Sequence, residues 1–171
     1  MVKARVWFMA IGLVLSGGVW HAAAGVTFGL SQLKSVCVRV GPLDPDSRSL
    51  GLSEEAVGNH ASMRLKDKLP KLQVERYRGT DTGDCAHNAP RLWVQVDLVP
   101  LWDARHGYFG MLEIRLMRTA QPGSGKVGRG IGYEGNIALR GHLATAPKDV
   151  NKGLDSLLRE FAAEYYKAGN P

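Results

Sequence analysis

Two runs of alternating residues constrain this chain more than any other feature. Leu92, Val94, Val96 and Leu98 alternate with Trp93, Gln95, Asp97 and Val99, while Leu112, Ile114 and Leu116 alternate with Glu113, Arg115 and Met117. A period of two marks strands with one buried and one solvated face. Asp103 to Gly107 supplies a turn between the runs. The pair therefore reads as an antiparallel hairpin whose even-numbered residues share the buried face. Such a sheet has to be covered on that face by another layer.

Two helical segments can supply the cover. Ser53 is placed to cap a helix, with Glu54 and Glu55 in its first turn and Leu52 and Val57 as a hydrophobic staple. Val57, Ala61, Leu65 and Leu69 then recur every fourth residue, and Pro70 ends the run. Gly58 is a weak point inside it. Near the C-terminus Val150, Leu154, Leu157, Leu158, Phe161 and Tyr165 line one helical face, with Asp155 and Arg159 spaced as an i,i+4 pair on the exposed side.

Further strands are expected at Ser35 to Val40, with Val36, Val38 and Val40 on one face, and at Leu72 to Arg78. Another alternating strand carries Ile131, Tyr133, Ile137 and Leu139. Pro42 to Gly51, Gly79 to Pro90 and the glycine-rich start of Gly123 to Gly135 read as loops. The expected fold is α+β: a single sheet of four to five strands with two helices packed on one face, closing in a C-terminal helix.

The first 24 residues have a different composition. Lys3 and Arg5 precede an apolar run from Val6 to Val19, and Ala22 and Ala24 suit cleavage after Ala24. The run is shorter than the roughly 20 residues a bilayer span requires. Residues 1–24 are expected to be a cleaved signal peptide and 25–171 a single α+β domain, periplasmic or secreted. The first cysteine is Cys37, far downstream of that cut, so no lipid anchor is expected there. In an oxidising compartment the two cysteines, Cys37 and Cys85, are expected to form a disulfide.

Charge and motifs narrow the chemistry. The formal net charge of +6 falls to about +4 once Lys3 and Arg5 leave with the signal. The remaining basic residues are interleaved with acids, as in Arg64 to Lys68, instead of clustering as a nucleic-acid surface requires. Gly123-Ser-Gly-Lys-Val-Gly128 matches a dinucleotide fingerprint in letters alone, because no helix opens after it. His60, His87, His106 and His142 lack metal-ligand spacing. Neither a metal nor a cofactor is expected. Asp97 and Glu113 can be cross-strand neighbours on the solvated face, where a charge ladder with Arg115 accounts for them as well as a catalytic pair does.

The aromatic residues offer the better candidate site. Trp93, Trp102, Tyr108 and Phe109 gather around one hairpin, with Arg105 in its turn. They are expected either to pack or to form a binding rim, where aromatics and arginine are enriched.

The β-branched first strand, Gly51-Leu-Ser-Glu-Glu55 opening a helix, the long alternating strands and a final helix bearing Phe161 and Tyr165-Tyr166 form a recognisable pattern behind a signal peptide. The pattern resembles small exported bacterial proteins of uncharacterised function. Its element order is similar to the N-terminal domain of TolB and to the CsgG and PelC group of envelope-assembly proteins, though this chain lacks the lipobox cysteine of the lipoprotein members. The expectation is a non-enzymatic periplasmic binding or envelope-assembly module. Its partner would be an envelope protein or polysaccharide, with no nucleic acid and no stable membrane anchor. The competing expectation is a periplasmic hydrolase using acids such as Asp97 and Glu113 in a groove.

Overall fold

In a computed structural model, residues 29–77, 85, 89–101, 106–119 and 129–170 are described. The proposed signal segment, Trp102, Arg105, His87 and the Gly123–Gly128 motif lie outside them. The elements run β1 (Ser35–Val40), α1 (Pro45–Ser49), α2 (Glu54–Lys68), β2 (Gln73–Arg76), β3 (Arg91–Leu101), β4 (Gly107–Thr119), β5 (Arg129–His142) and α3 (Ala146–Lys167). The five strands form one sheet in the order β2-β1-β3-β4-β5. β1 runs parallel to both neighbours, and β3, β4 and β5 form an antiparallel meander.

The β3–β4 register sets the buried face. Leu92 lies opposite Leu116, Val94 opposite Ile114 and Val96 opposite Leu112. All six are fully buried. Leu98 and Tyr108 extend the same face towards the hairpin end. α2 lies against β1 and β2, α3 against β4 and β5, and the two helices touch each other. Both helices therefore cover one side of the sheet, as the alternation requires. Val57, Ala61 and Leu65 from α2 and Val150, Leu154, Leu158 and Phe161 from α3 close the core. Tyr133 of β5 meets Phe161 edge-on, with ring centroids 5.1 Å apart.

α2 starts where its capping signals place it: the Ala56 amide donates to Ser53 Oγ at 3.1 Å. Gly58 is buried, and a Cβ there would come within 3.1 Å of Arg76 Nε and 3.3 Å of Val40 Cγ2, so glycine permits the close approach of α2 to β1 and β2. The segment expected as a loop at 42–51 contains a helix. Asp44 caps α1 through the Ser47 amide at 2.6 Å, and Pro45 occupies its first position. α1 has a structural task. β1 pairs with β3 only through Val94, and the buried Ser47 Oγ accepts the Leu98 amide at 3.1 Å beyond that point. A short helix thus covers the edge of β3 that β1 leaves open.

Asp155 also departs from expectation. Instead of pairing with Arg159 along its own helix, it crosses to α2. Its carboxylate meets His60 Nε2 at 2.9 Å and accepts from Arg64 Nη2 at 3.2 Å. Two donors from a packed neighbour hold the group better than one exposed residue a turn away. Cys37 and Cys85 form a disulfide, with Cα atoms 5.8 Å apart, tying the segment between β2 and β3 to the outer side of β1. Among the described residues no helix is long and apolar enough to cross a membrane.

Candidate functional site: the open face of the sheet

Opposite the helices, the odd-numbered residues of β3 and β4 form a face that the described residues leave open. Along most of that face the composition is polar. Trp93 faces Arg115, Gln95 faces Glu113, and Glu113 and Arg115 lie opposite Asn136 and Glu134 of β5. Arg115 is ion-paired with Glu113 and lies 3.4 Å from Glu134. Burial, followed by the Glu134 hydrogen bond, raises the Glu113 carboxyl above its ordinary range, and Arg115 works against that shift.

At the hairpin end the face changes character. Val99 lies directly opposite Phe109, and Met111 lies between Asp97 and Ala138. Val99 is 44% exposed, Leu101 40%, Phe109 52% and Met111 48%. These four belong to adjacent strands, so their side chains form one contiguous apolar patch. Arg140, opposite Phe109, and Asp97, opposite Met111, give it a charged border.

The aromatic candidates separate in space. Phe109 sits in the patch. Tyr108, its neighbour in the chain, is 1% exposed and points into the core, where its hydroxyl donates to Asp149 Oδ2 at 3.0 Å. Burial and then Asp149 push its pKa up. Trp93 lies towards the far end of β3, half-buried, with the Arg39 guanidinium 5.2 Å from its ring. Thus Phe109 shares its surface with neither Tyr108 nor the immediate surroundings of Trp93. Val99, Leu101 and Met111 are residues that the search for aromatics does not single out. Their signal was present as apolar residues at odd-numbered positions, where the alternation calls for polar ones.

Asp97 and Glu113 share the outer face, but the register puts Met111 opposite Asp97 and Gln95 opposite Glu113. Asp97 accepts from Gln95 Nε2 at 2.8 Å. The two acids are therefore not cross-strand partners, and among the described residues no second wall faces them from which a substrate would be clasped.

A cleft of about 920 Å³ opens elsewhere, at the carboxyl ends of β1 and β2 against the first turns of α2. Arg39, Arg76 and Tyr77 line it together with Glu54 and Glu55. Arg39 lies 4.4 Å from the Tyr77 ring centroid, and Arg76 donates to Asn59. Glu54 accepts from Arg48 at 2.7 Å and from the Leu43 amide at 3.0 Å, and the Arg48 hydrogen bond lowers its pKa. Among the described lining residues two cations and two anions are mixed, with no single-sign field to select a charged ligand.

No family model matches the sequence, and no curated protein does. Among solved structures the chain is similar to a minor lipoprotein from Acinetobacter baumannii, with 9% identity, a TM-score of 0.41 and coverage of 81% of this chain and 95% of that one. It is also similar to a protein described as a lipoprotein from Caulobacter crescentus, with 13% identity, a TM-score of 0.40 and coverage of 84% and 96%. A third, described as a neuraminyllactose-binding hemagglutinin homolog from Helicobacter pylori, has 13% identity, a TM-score of 0.40 and coverage of 78% and 86%. None of the three transfers a residue or a ligand to this chain.

Proposed function

We propose that the chain is an exported, non-enzymatic binding module of the cell envelope, and that it meets a protein partner through the apolar end of its open sheet face. The observation that carries this reading is the exposure of Val99, Leu101, Phe109 and Met111 together on a face the helices leave bare. Singly exposed apolar residues are ordinary, but four contiguous ones with a charged border have the anatomy of an interface core and rim. Between the two partner classes expected from sequence, the composition favours protein. Phe and Met are enriched at protein interfaces, and Val99, Leu101 and Met111 offer a polysaccharide neither a stacking ring nor a hydrogen-bonding group. Residues 1–24 supply the export route in this reading.

The test is capture of partners from the envelope of the source cell with the purified exported chain as bait. Phe109→Asp is compared with Met63→Asp, which places the same charge at a 53% exposed position on α2. A partner held by the wild type and by Met63→Asp, and lost with Phe109→Asp, supports the proposal. Equal retention by both variants contradicts it.

A further inference from the structure

The outer edge of β5 is the longest unpaired strand edge in the described sheet. β5 spans Arg129–His142, and no described strand lies beyond it. The opposite edge is β2, four residues long. Long exposed edges template pairing with another chain, and proteins usually blunt them with lysine, proline or short strands. The β5 sequence, Arg-Gly-Ile-Gly-Tyr-Glu-Gly-Asn-Ile-Ala-Leu-Arg-Gly-His, contains neither lysine nor proline, and its register shift, at Gly132, lies outside the regularly paired Tyr133–His142 stretch.

The same sequence is complementary to its own reverse. We infer that the chain forms a two-fold dimer in which β5 pairs antiparallel with β5 of a second copy, centred on Ile137. In that register Glu134 lies opposite Arg140 of the other copy, twice per dimer by symmetry. Both residues belong to the outer face, since Glu134 is opposite Arg115 and Arg140 opposite Phe109 within the chain. On the inner face Ile137 meets Ile137, Gly135 meets Leu139, and Tyr133 meets Gly141, so that each large side chain stands opposite a small one or its own equivalent. Tyr133 and Ile137 are the partly buried residues of the core along this strand, and pairing would complete their burial. Moving the centre by one residue to Asn136 or Ala138 removes the Glu134–Arg140 match, because Glu134 then faces Ala138 or His142. The dimer joins two five-stranded sheets into one. It leaves Val99, Leu101, Phe109 and Met111 exposed and shares with the proposed partner site only the bordering Arg140, so Glu134→Arg tests the dimer separately from that site.

The test uses sedimentation equilibrium of the purified exported chain, with Glu134→Arg, Arg140→Glu and the double swap. The wild type is expected to be dimeric. Each single variant replaces two attractive pairs with two repulsive ones and should weaken self-association by about tenfold or more. The double swap restores opposite charges across the interface and should restore the dimer, although it gives up the contact between Glu134 and Arg115 within the chain. Circular dichroism of each variant confirms that the fold persists. A monomeric wild type at the highest soluble concentration, or a dimer indifferent to the single swaps, would overturn the inference. So would a dimer dissociated by Phe109→Asp and not by Arg140→Glu, because that result would place self-association on the open face.

Discussion

Tyr108 and Phe109 are consecutive residues that face opposite sides of one sheet: Tyr108 is 1% exposed and Phe109 52%. The strand period forces this separation. It divides what reads in sequence as one aromatic cluster into a core residue and a surface residue with different consequences for substitution.

The pair gives the first prediction. Tyr108→Phe keeps the ring but removes the hydrogen bond to Asp149, which Thr145 Oγ1 continues to contact at 2.7 Å. It should cost about 1 kcal/mol of stability in urea unfolding and leave partner binding unchanged. Phe109→Ala should behave the other way, weakening binding by about tenfold or more while moving the unfolding midpoint little.

The Cys37–Cys85 bridge closes a loop with a sequence separation of 48. In the chain-entropy picture a loop of that size stabilises the fold by roughly 4 kcal/mol. Unfolding followed in the presence and absence of reductant should show a loss of that order, and Cys37→Ser with Cys85→Ser should make the midpoint insensitive to reductant.

Asp155 joins the two helices through His60 and Arg64. Asp155→Ala should cost about 1 kcal/mol, since the group is partly exposed and its partners retain some access to water. Arg159→Ala should cost less, because Arg159 is exposed and the carboxylate is held from α2. Paired urea curves on the two variants decide the order.

Acid should destabilise the fold through particular carboxyls. The Thr145 hydroxyl, then Tyr108 and nearby Lys152 and Lys148, hold Asp149 below its ordinary pKa, and the Arg48 hydrogen bond does so for Glu54. A depressed carboxyl stabilises the fold above its unfolded pKa and loses that contribution as the pH falls through its folded value. The urea midpoint should therefore drop between neutrality and about pH 3, with a shallower drop in Asp149→Asn. Glu113 runs the other way: its raised pKa favours the protonated form in the fold, and its contribution is lost as the pH rises through the raised value. Glu113→Gln should therefore gain more stability at neutral pH than in acid.

Much of this architecture can be read from patterning. The β3–β4 hairpin and α3 repeat their apolar residues long enough for the period to identify both the element and its buried side. α1 escapes such reading because five residues are too few to show a helical period, and Asp44 and Pro45 serve a turn as readily as a helix start. Spacing along a helix pairs Asp155 with Arg159 because it sees only local partners, whereas His60 and Arg64 arrive through tertiary packing. Tyr108 was legible in principle: the even-numbered face of β4, followed back from Ile114 and Leu112, reaches it. Of the apolar patch only Phe109 is named from sequence; Val99, Leu101 and Met111 also violate the polar half of the alternation, but a search for aromatics passes over them.

A direct test of the binding face is site-specific photocrosslinking in intact envelopes. A photoreactive side chain is placed at Phe109 or Met111 in turn, with Met63 on α2 as the control position. The proposal predicts the same discrete crosslinked protein partner from Phe109 and Met111 and none from Met63. Equal crosslinking from all three positions, or a partner captured from Met63 alone, would contradict it.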